Sequence, residues 1–141
     1  MATVDAQSPA PSSVRAWWSA ARPRTLSVSV APVLVGTAVA HAHDAARALP
    51  AFAALLGAVL IQIGTNLAND LFDAQKGADA EDRIGPPRAV QMGWLSPAQV
   101  ETGAAFVFGA AAGVGLYLIS VAGWPIALIG ALSIAAGIAY T

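Results

Sequence analysis

An all-α, multi-pass transmembrane helical bundle is the fold class the sequence predicts, and three observations predict it. Of 141 residues, 57% are hydrophobic and only 11% charged, and the mean hydropathy is +0.63. A soluble domain carries about 25% charged residues, so a water-exposed surface is hard to build from this composition. Uncharged apolar runs recur along the chain, and none alternates with a period of two. Backbone groups in lipid must pair internally, so such runs read as helices and not as barrel strands. A net charge of −1 offers no basic field for nucleic acid. The absence of cysteine excludes disulfides, thiol catalysis and cysteine-ligated zinc.

Residues 1–14, rich in Ala, Pro and Ser, read as a disordered tail ahead of the membrane domain at 15–141. Nothing before Arg15 has the basic start and apolar core of a secretory signal. Trp17 and Trp18, with Arg15, Arg22 and Arg24 around Pro23, suit the headgroup layer of a lipid bilayer, where amphipathic rings and snorkelling cations are both satisfied. The first apolar run covers Leu26–Ala40 and extends from Thr25 to Ala42, close to the ~20 residues a span requires. His41 and His43 fall in the short connection after it and read as interfacial loop residues. A second run covers Leu49–Leu67, a third about Gly103–Ala122 and a fourth Trp124–Tyr140, making about four helices. Small residues crowd the third run (Gly109, Ala110, Ala111, Ala112, Gly113, Gly115). They permit close helix approach, or they merely fill lipid-facing positions.

Between the second and third runs lies the only strongly polar segment, Asn66–Arg88, NLANDLFDAQKGADAEDRIGPPR. It holds Asp70, Asp73, Asp79, Glu81 and Asp82 among the 8 acidic residues of the chain, and Lys76, Arg83 and Arg88 among its 7 basic ones. Carboxylates at the end of an apolar span are costly unless a cation uses them, so they are functional candidates. If the second helix continues past Leu67, Asn66, Asn69, Asp70 and Asp73 fall three and four residues apart, on one helical face. Asp70 and Asp73 can then share a cation, with Asn69 adding or orienting an oxygen. Oxygen-only ligands at an accessible rim suit Mg2+, which keeps waters and is shared with substrate phosphates. Gly77 reads as the C-cap. Lys76, Arg83 and Arg88 supply the counter-charge that phosphate oxygens need.

Other readings of this segment remain at this level. A solvated interhelical loop would also be polar. A calcium loop would require a D-x-D-x-D-G pattern and terminal Glu that are missing. A transporter would bind substrate and coupling ions through intramembrane carboxylates, although these acids gather at a helix end and not at mid-membrane.

Asn69-Asp70-Leu-Phe-Asp73, then Lys76-Gly77-Ala-Asp79, then Asp82-Arg83-Ile-Gly85-Pro86, resembles the first aspartate-rich motif of the UbiA superfamily of intramembrane prenyltransferases. The spelling is most similar to the branch that prenylates 1,4-dihydroxy-2-naphthoate in menaquinone synthesis, as are Ala21-Arg22-Pro23-Arg24-Thr25-Leu26 and Gln91-Met-Gly93. The resemblance covers about Trp17 to Thr141. It implies a membrane enzyme of about nine helices that binds a polyprenyl diphosphate through Mg2+ and transfers the prenyl group to the naphthoate ring with loss of its carboxylate. It assigns Asn69, Asp70 and Asp73 to the metal and diphosphate cluster. Lys76, Asp79, Arg83, Arg88 and Arg24 become candidates for contacts to the diphosphate. Two departures stand out. Gly77 occupies a position where many members have Asp, making Asp79 the replacement. The family's second aspartate motif lies beyond Thr141, so the chain is expected to be an N-terminal part, inserting in membranes but inactive alone unless two copies assemble one site. A CDP-alcohol phosphotransferase fits less well, because Ala74-Gln75-Lys76 follows Asp73 where that family has Gly and then Ala-Arg.

Lys and Arg number three before the first apolar run, one (Arg47) between the first two, three between the second and third, and none before the fourth. The positive-inside rule then puts the N-terminus and the acidic loop on the cytoplasmic side of the cell membrane. Cysteines introduced at Gly77 and at Ala45 are expected to react with an impermeant maleimide from opposite sides, Ala45→Cys alone from outside. Reaction of both from outside would overturn the orientation.

Overall fold

The computed structural model describes residues 11–75 and 88–140, which contain five α-helices and no strand among the described residues. They are α1 (Ser13–Ala21), α2 (Leu26–Ala42), α3 (Ala48–Gln75), α4 (Pro97–Ala122) and α5 (Pro125–Ala139), with a single 3-10 turn at Pro23–Thr25 between the first two. The all-helical bundle is therefore present. By length and composition, Ser13–Ala42, Ala48–Gln75 and Pro97–Ala122 are long and apolar enough to cross a membrane. The fourth apolar run forms α5, a shorter helix of 15 residues.

Helix boundaries follow local chemistry. Helix α1 begins at Ser13, inside the stretch read from sequence as tail, and ends at Arg22, which is left-handed at φ 50°. Pro23 then starts the 3-10 turn. Inside α2, the hydroxyls of Ser29 and Thr37 donate to the carbonyls of Leu26 and Val33, both at 2.8 Å, so neither hydroxyl needs lipid as a partner. The start of α4 is Pro97 and not Gly103, because Ser96 and Gln99 form a capping box: Gln99 N–H donates to Ser96 Oγ (3.2 Å), and Ser96 N–H donates to Gln99 Oε1 (2.8 Å).

Helix α3 is the central element, packing most extensively on α4 and also against α1, α2 and α5. Its 28 residues make it about 42 Å long at ~1.5 Å per residue, against ~30 Å of hydrocarbon. The excess length lets one end carry polar residues beyond the apolar layer. That end is also where the protein buries most of its own side chains. Ala16, Ala20, Leu67, Leu71, Ala89, Leu95, Val100 and Ala104 form one core, with Trp17, Ile63, Val90, Trp94 and Val107 packed on it. Farther along the helices, Val28, Leu34, Val35, Leu116, Leu128 and Leu132 are exposed, as residues facing acyl chains would be.

The paired tryptophans divide the work expected of them. Trp18 is 67% exposed, consistent with a headgroup position, whereas Trp17 lies against α4 at Gly103. A Cβ on Gly103 would come within 2.6 Å of the Trp17 ring, and one on Gly64 within 2.8 Å of the Phe108 ring. Among the small residues of the third run, Ala111 is buried, but a Cβ at Gly109, Gly113 or Gly115 would meet nothing within 4 Å. Close approach thus occurs mainly at glycines that the sequence reading did not single out.

Gly103→Ala is accordingly expected to displace the Trp17 ring and destabilise the docking of α1 by about 1–3 kcal/mol, the usual cost of overpacking. Thermal denaturation in detergent would measure it. Trp17→Ala should remove most of the additional loss caused by Gly103→Ala, and equal losses in both backgrounds would show that the ring is not the obstacle.

Candidate functional site

The helical continuation of α3 to Gln75 brings Asn66, Asn69, Asp70 and Asp73 to one end of the bundle at spacings of three and four. Asp70 is 1% exposed. Its Oδ2 accepts the backbone N–H of Val90 at 3.2 Å. Val90 belongs to the turn leading into α4, which is closed by Met92 N–H to Arg88 O (2.9 Å), Gly93 N–H to Val90 O (3.0 Å) and Trp94 N–H to Ala89 O (2.9 Å). Gly93 has φ +70°, a conformation that glycine reaches without steric penalty. The buried side chains of Ala89 and Leu95 hold the same turn from the core side.

Arg88, at the start of that turn, forms an ion pair with Asp73. Its Nη1 also donates to the backbone carbonyl of Asn69 at 3.1 Å. The side chain of Arg88 is 4% exposed and that of Asp73 17%. Burial, and then the like charge of Arg22, push the Arg88 guanidinium below its ordinary value, while Asp70 opposes them. An arginine nonetheless stays charged in a protein. The guanidinium therefore neutralises Asp73 and closes the turn onto α3.

The other oxygen of Asp70, Oδ1, is buried and has no hydrogen-bond partner among the described residues. A buried acceptor without a donor is a costly feature, and an oxygen-binding cation is one group that would satisfy it. Among the described residues, no cluster of three or more His, Asp or Glu side chains gathers, so these residues alone offer an incomplete coordination shell. Asp70, Asp73 and the Asn69 backbone lie together with Arg88, which the sequence reading assigned to diphosphate and which here is engaged by Asp73 and the Asn69 carbonyl. Arg24 is exposed on the 3-10 turn. Lys76, Asp79 and Arg83, like the Gly77 cap, lie outside the described residues.

Two residues play parts that spacing alone did not assign. Asn66, 5% exposed, donates through Nδ2 to Ala21 O (2.8 Å) and Thr25 Oγ1 (2.9 Å), fastening the end of α1 to α3. Arg22, read as a headgroup residue, is the left-handed residue that ends α1, its carbonyl accepting from Thr25 Oγ1 at 2.9 Å. The available sequence signal for Arg22 was its place before Pro23, where a chain reversal is favoured.

Fold and site together define a class: helical membrane proteins with a carboxylate and arginine cluster at one end of a spanning helix. Within that class the chain belongs to the UbiA prenyltransferase family, whose model matches residues 29–141. It is 39% identical over 136 residues to a 1,4-dihydroxy-2-naphthoate octaprenyltransferase of Escherichia coli (strain K12), covering 92% of this chain and 44% of that protein. It is 45% identical over 127 residues to the Mycobacterium tuberculosis protein of the same name, covering 89% and 42%. For the Bacillus subtilis protein of that name the figures are 34% over 124 residues, covering 88% and 40%. The chain therefore spans less than half the length of these curated relatives. No solved structure matches it significantly.

Arg88→Met is expected to destabilise the fold by roughly 3 kcal/mol, since it removes the buried cation paired with Asp73 and a donor to the Asn69 carbonyl. Adding Asp73→Asn should recover a large part of the loss in chemical denaturation. A double variant as unstable as Arg88→Met alone would show that the ion pair does not hold the turn.

Proposed function

We propose that this chain carries the first aspartate motif of a prenyltransferase of the cell membrane, which moves a polyprenyl group from its diphosphate to 1,4-dihydroxy-2-naphthoate. The single structural observation behind this reading is Asp70, a buried carboxylate with one unpartnered oxygen, beside Asp73 and Arg88 at the end of a spanning helix. The acceptor is taken from the names of the relatives and the donor from the family. Mg2+ would be held by Asp70 Oδ1, by a carboxylate oxygen of Asp73 and by Asn69. When bound, it would neutralise charge on the diphosphate and make it a better leaving group.

The chain's own residues would prepare this chemistry. Asp70 keeps one oxygen directed to the Val90 amide, which fixes the orientation of the other. Arg88 holds Asp73 close to the end of α3 and limits the repulsion between the two carboxylates and an arriving diphosphate. Lys76, Asp79, Arg83 and Arg24 are the further groups proposed to face that diphosphate, from the cytoplasmic side. The apolar faces of α3 and α4 would keep the prenyl chain in lipid-like surroundings and water away from its allylic carbon, so that the naphthoate ring is the nucleophile that meets it.

A transporter with a cation-binding acidic loop is the competing reading, and turnover separates the two. In the full-length protein, Asp73→Ala and the volume-conserving Asp73→Asn should each lower prenyl transfer by about 100-fold, comparable to removing a preorganised electrostatic group. Glu81→Ala should change it less than threefold, on the order of a surface substitution. Chelation of divalent cations should abolish transfer, and added Mg2+ should restore it. Equal losses for Asp73→Ala and Glu81→Ala would remove the assignment, and full activity in chelator would remove the metal.

A further inference from the structure

At the end of the bundle opposite Asp70, α2, α3 and α4 leave a groove of about 390 Å3 between them. Helix α2 lines it with Val33, Gly36 and Ala40, α3 with Ala51 and Ala54, and α4 with Leu118. Glycine and alanine are too small to close the space between three helices, and a Cβ on Gly36 would meet nothing within 4 Å. Thr37 also faces the groove, but its hydroxyl donates to the Val33 carbonyl at 2.8 Å, which leaves the interior apolar. From Ala40 back to Val33 the groove follows about 10 Å of helix at ~1.5 Å per residue, so it runs from the rim into the hydrocarbon layer. Spread over that length, its volume gives a cross-section of about 40 Å2, half that of a helix ~10 Å across. It is too narrow to seat a helix and has room for an acyl chain.

The rim carries one cation. Asp44, left-handed at φ 54°, reverses the chain after α2, and the amides of His43 and Ala45 both return to the Ala40 carbonyl, at 3.3 and 2.8 Å. The connection is thereby folded onto the end of α2, and Ala45, Ala46 and Arg47 form the mouth of the groove. Arg47 is exposed and makes no ion pair among the described residues. Asp44 is exposed and outside the lining, and no carboxylate among the described residues belongs to it. The turn from α4 to α5 at Gly123 and Trp124 adds no charge. Along α3, Ala48 lies about 33 Å from Asp70 at ~1.5 Å per residue. That exceeds ~30 Å of hydrocarbon, so Arg47 and the Asp70 cluster reach opposite headgroup layers.

We propose that this groove is a binding site for an acidic phospholipid, whose phosphate is held by Arg47 and whose acyl chain lies against Gly36, Ala40, Ala51 and Ala54. The site is separate from the prenyl-transfer reading and does not depend on it. A guanidinium and a phosphate form charge-assisted hydrogen bonds at headgroup depth, and the arginine stem covers apolar surface on the way there. The chain supplies what the helices lack at this end. No residue of α2 is buried, and a lipid chain wedged between α2 and α4 gives α2 a second packing partner.

The test uses the full-length protein in phosphatidylcholine vesicles, with acyl-chain spin-labelled phosphatidylglycerol or phosphatidylcholine as the probe. The motionally restricted fraction in the electron spin resonance spectrum gives the association of each lipid with the protein. Arg47→Gln should lower the association of phosphatidylglycerol at this site by about fivefold, the weight of one basic residue against an anionic lipid, and leave phosphatidylcholine unchanged. Gly36→Leu, which fills the groove from α2, should remove the site for both lipids. In the Gly36→Leu background, Arg47→Gln should then change phosphatidylglycerol association by less than about twofold, because headgroup and chain are held together. Ala54→Leu fills the groove from α3 and replaces Gly36→Leu if that variant does not fold. The proposal is overturned if Arg47→Gln has the same effect in the filled and open grooves, since the arginine would then act only as surface charge. It is equally overturned if Arg47→Gln leaves the lipid preference intact, or if filling the groove changes the association of neither lipid.

Discussion

A carboxylate taken out of water must find donors or a cation, and at the end of α3 that requirement falls on Asp70. Satisfying one of its oxygens with the Val90 amide draws the turn at 88–95 onto the helix. The same turn brings Arg88 to Asp73 and starts α4 through the Ser96 capping box. Alpha-helical hairpins in a bilayer gain little from hydrophobic burial between spans, since lipid is as apolar as leucine. A polar clasp at the membrane end therefore has a larger share in fixing how α3 and α4 meet than any apolar contact at mid-bilayer.

This explains where the protein invests its own packing. The buried core lies directly beneath the polar cluster, with Leu67, Leu71, Leu95 and Val100 closing off the side that faces away from solvent. A low local dielectric strengthens the Asp73–Arg88 attraction and raises the cost of leaving either partner alone. Helix α1 completes the enclosure by laying Ala16, Ala20 and Trp17 against it. Site and core are one unit, and a mutation in either is felt by both.

Much of this was legible in the sequence. The apolar runs gave the helices, the three-and-four spacing from Asn66 to Asp73 gave the shared face, and the basic and acidic residues marked the end where Asp70 is buried and Asp73 pairs with Arg88. Three things were not legible, for physical reasons. The α1 helix is short, and its periodic signal is carried by Ala16 and Ala20, residues whose burial contributes little hydrophobicity, so a Pro- and Ser-rich approach read as tail. The grouping of Asp70 with Val90, and of Asn66 with Ala21 and Thr25, depends on contacts between residues far apart in sequence. Spacing along one helix reports its own face and cannot report which loop will be drawn onto it. The glycines that admit Trp17 and Phe108 were hidden for a related reason, being outnumbered by small residues that meet nothing.

The bonds from α3 to Arg88 and Val90 span 19 and 20 positions of sequence, so the residues between them are closed into a ring by the fold itself. Ring closure has an entropic cost that grows only with the logarithm of length, about 0.6 kcal/mol for each doubling. Once the Asp70 and Asp73 clasps have met that cost, the closure term itself is nearly indifferent to the number of residues between Gln75 and Arg88.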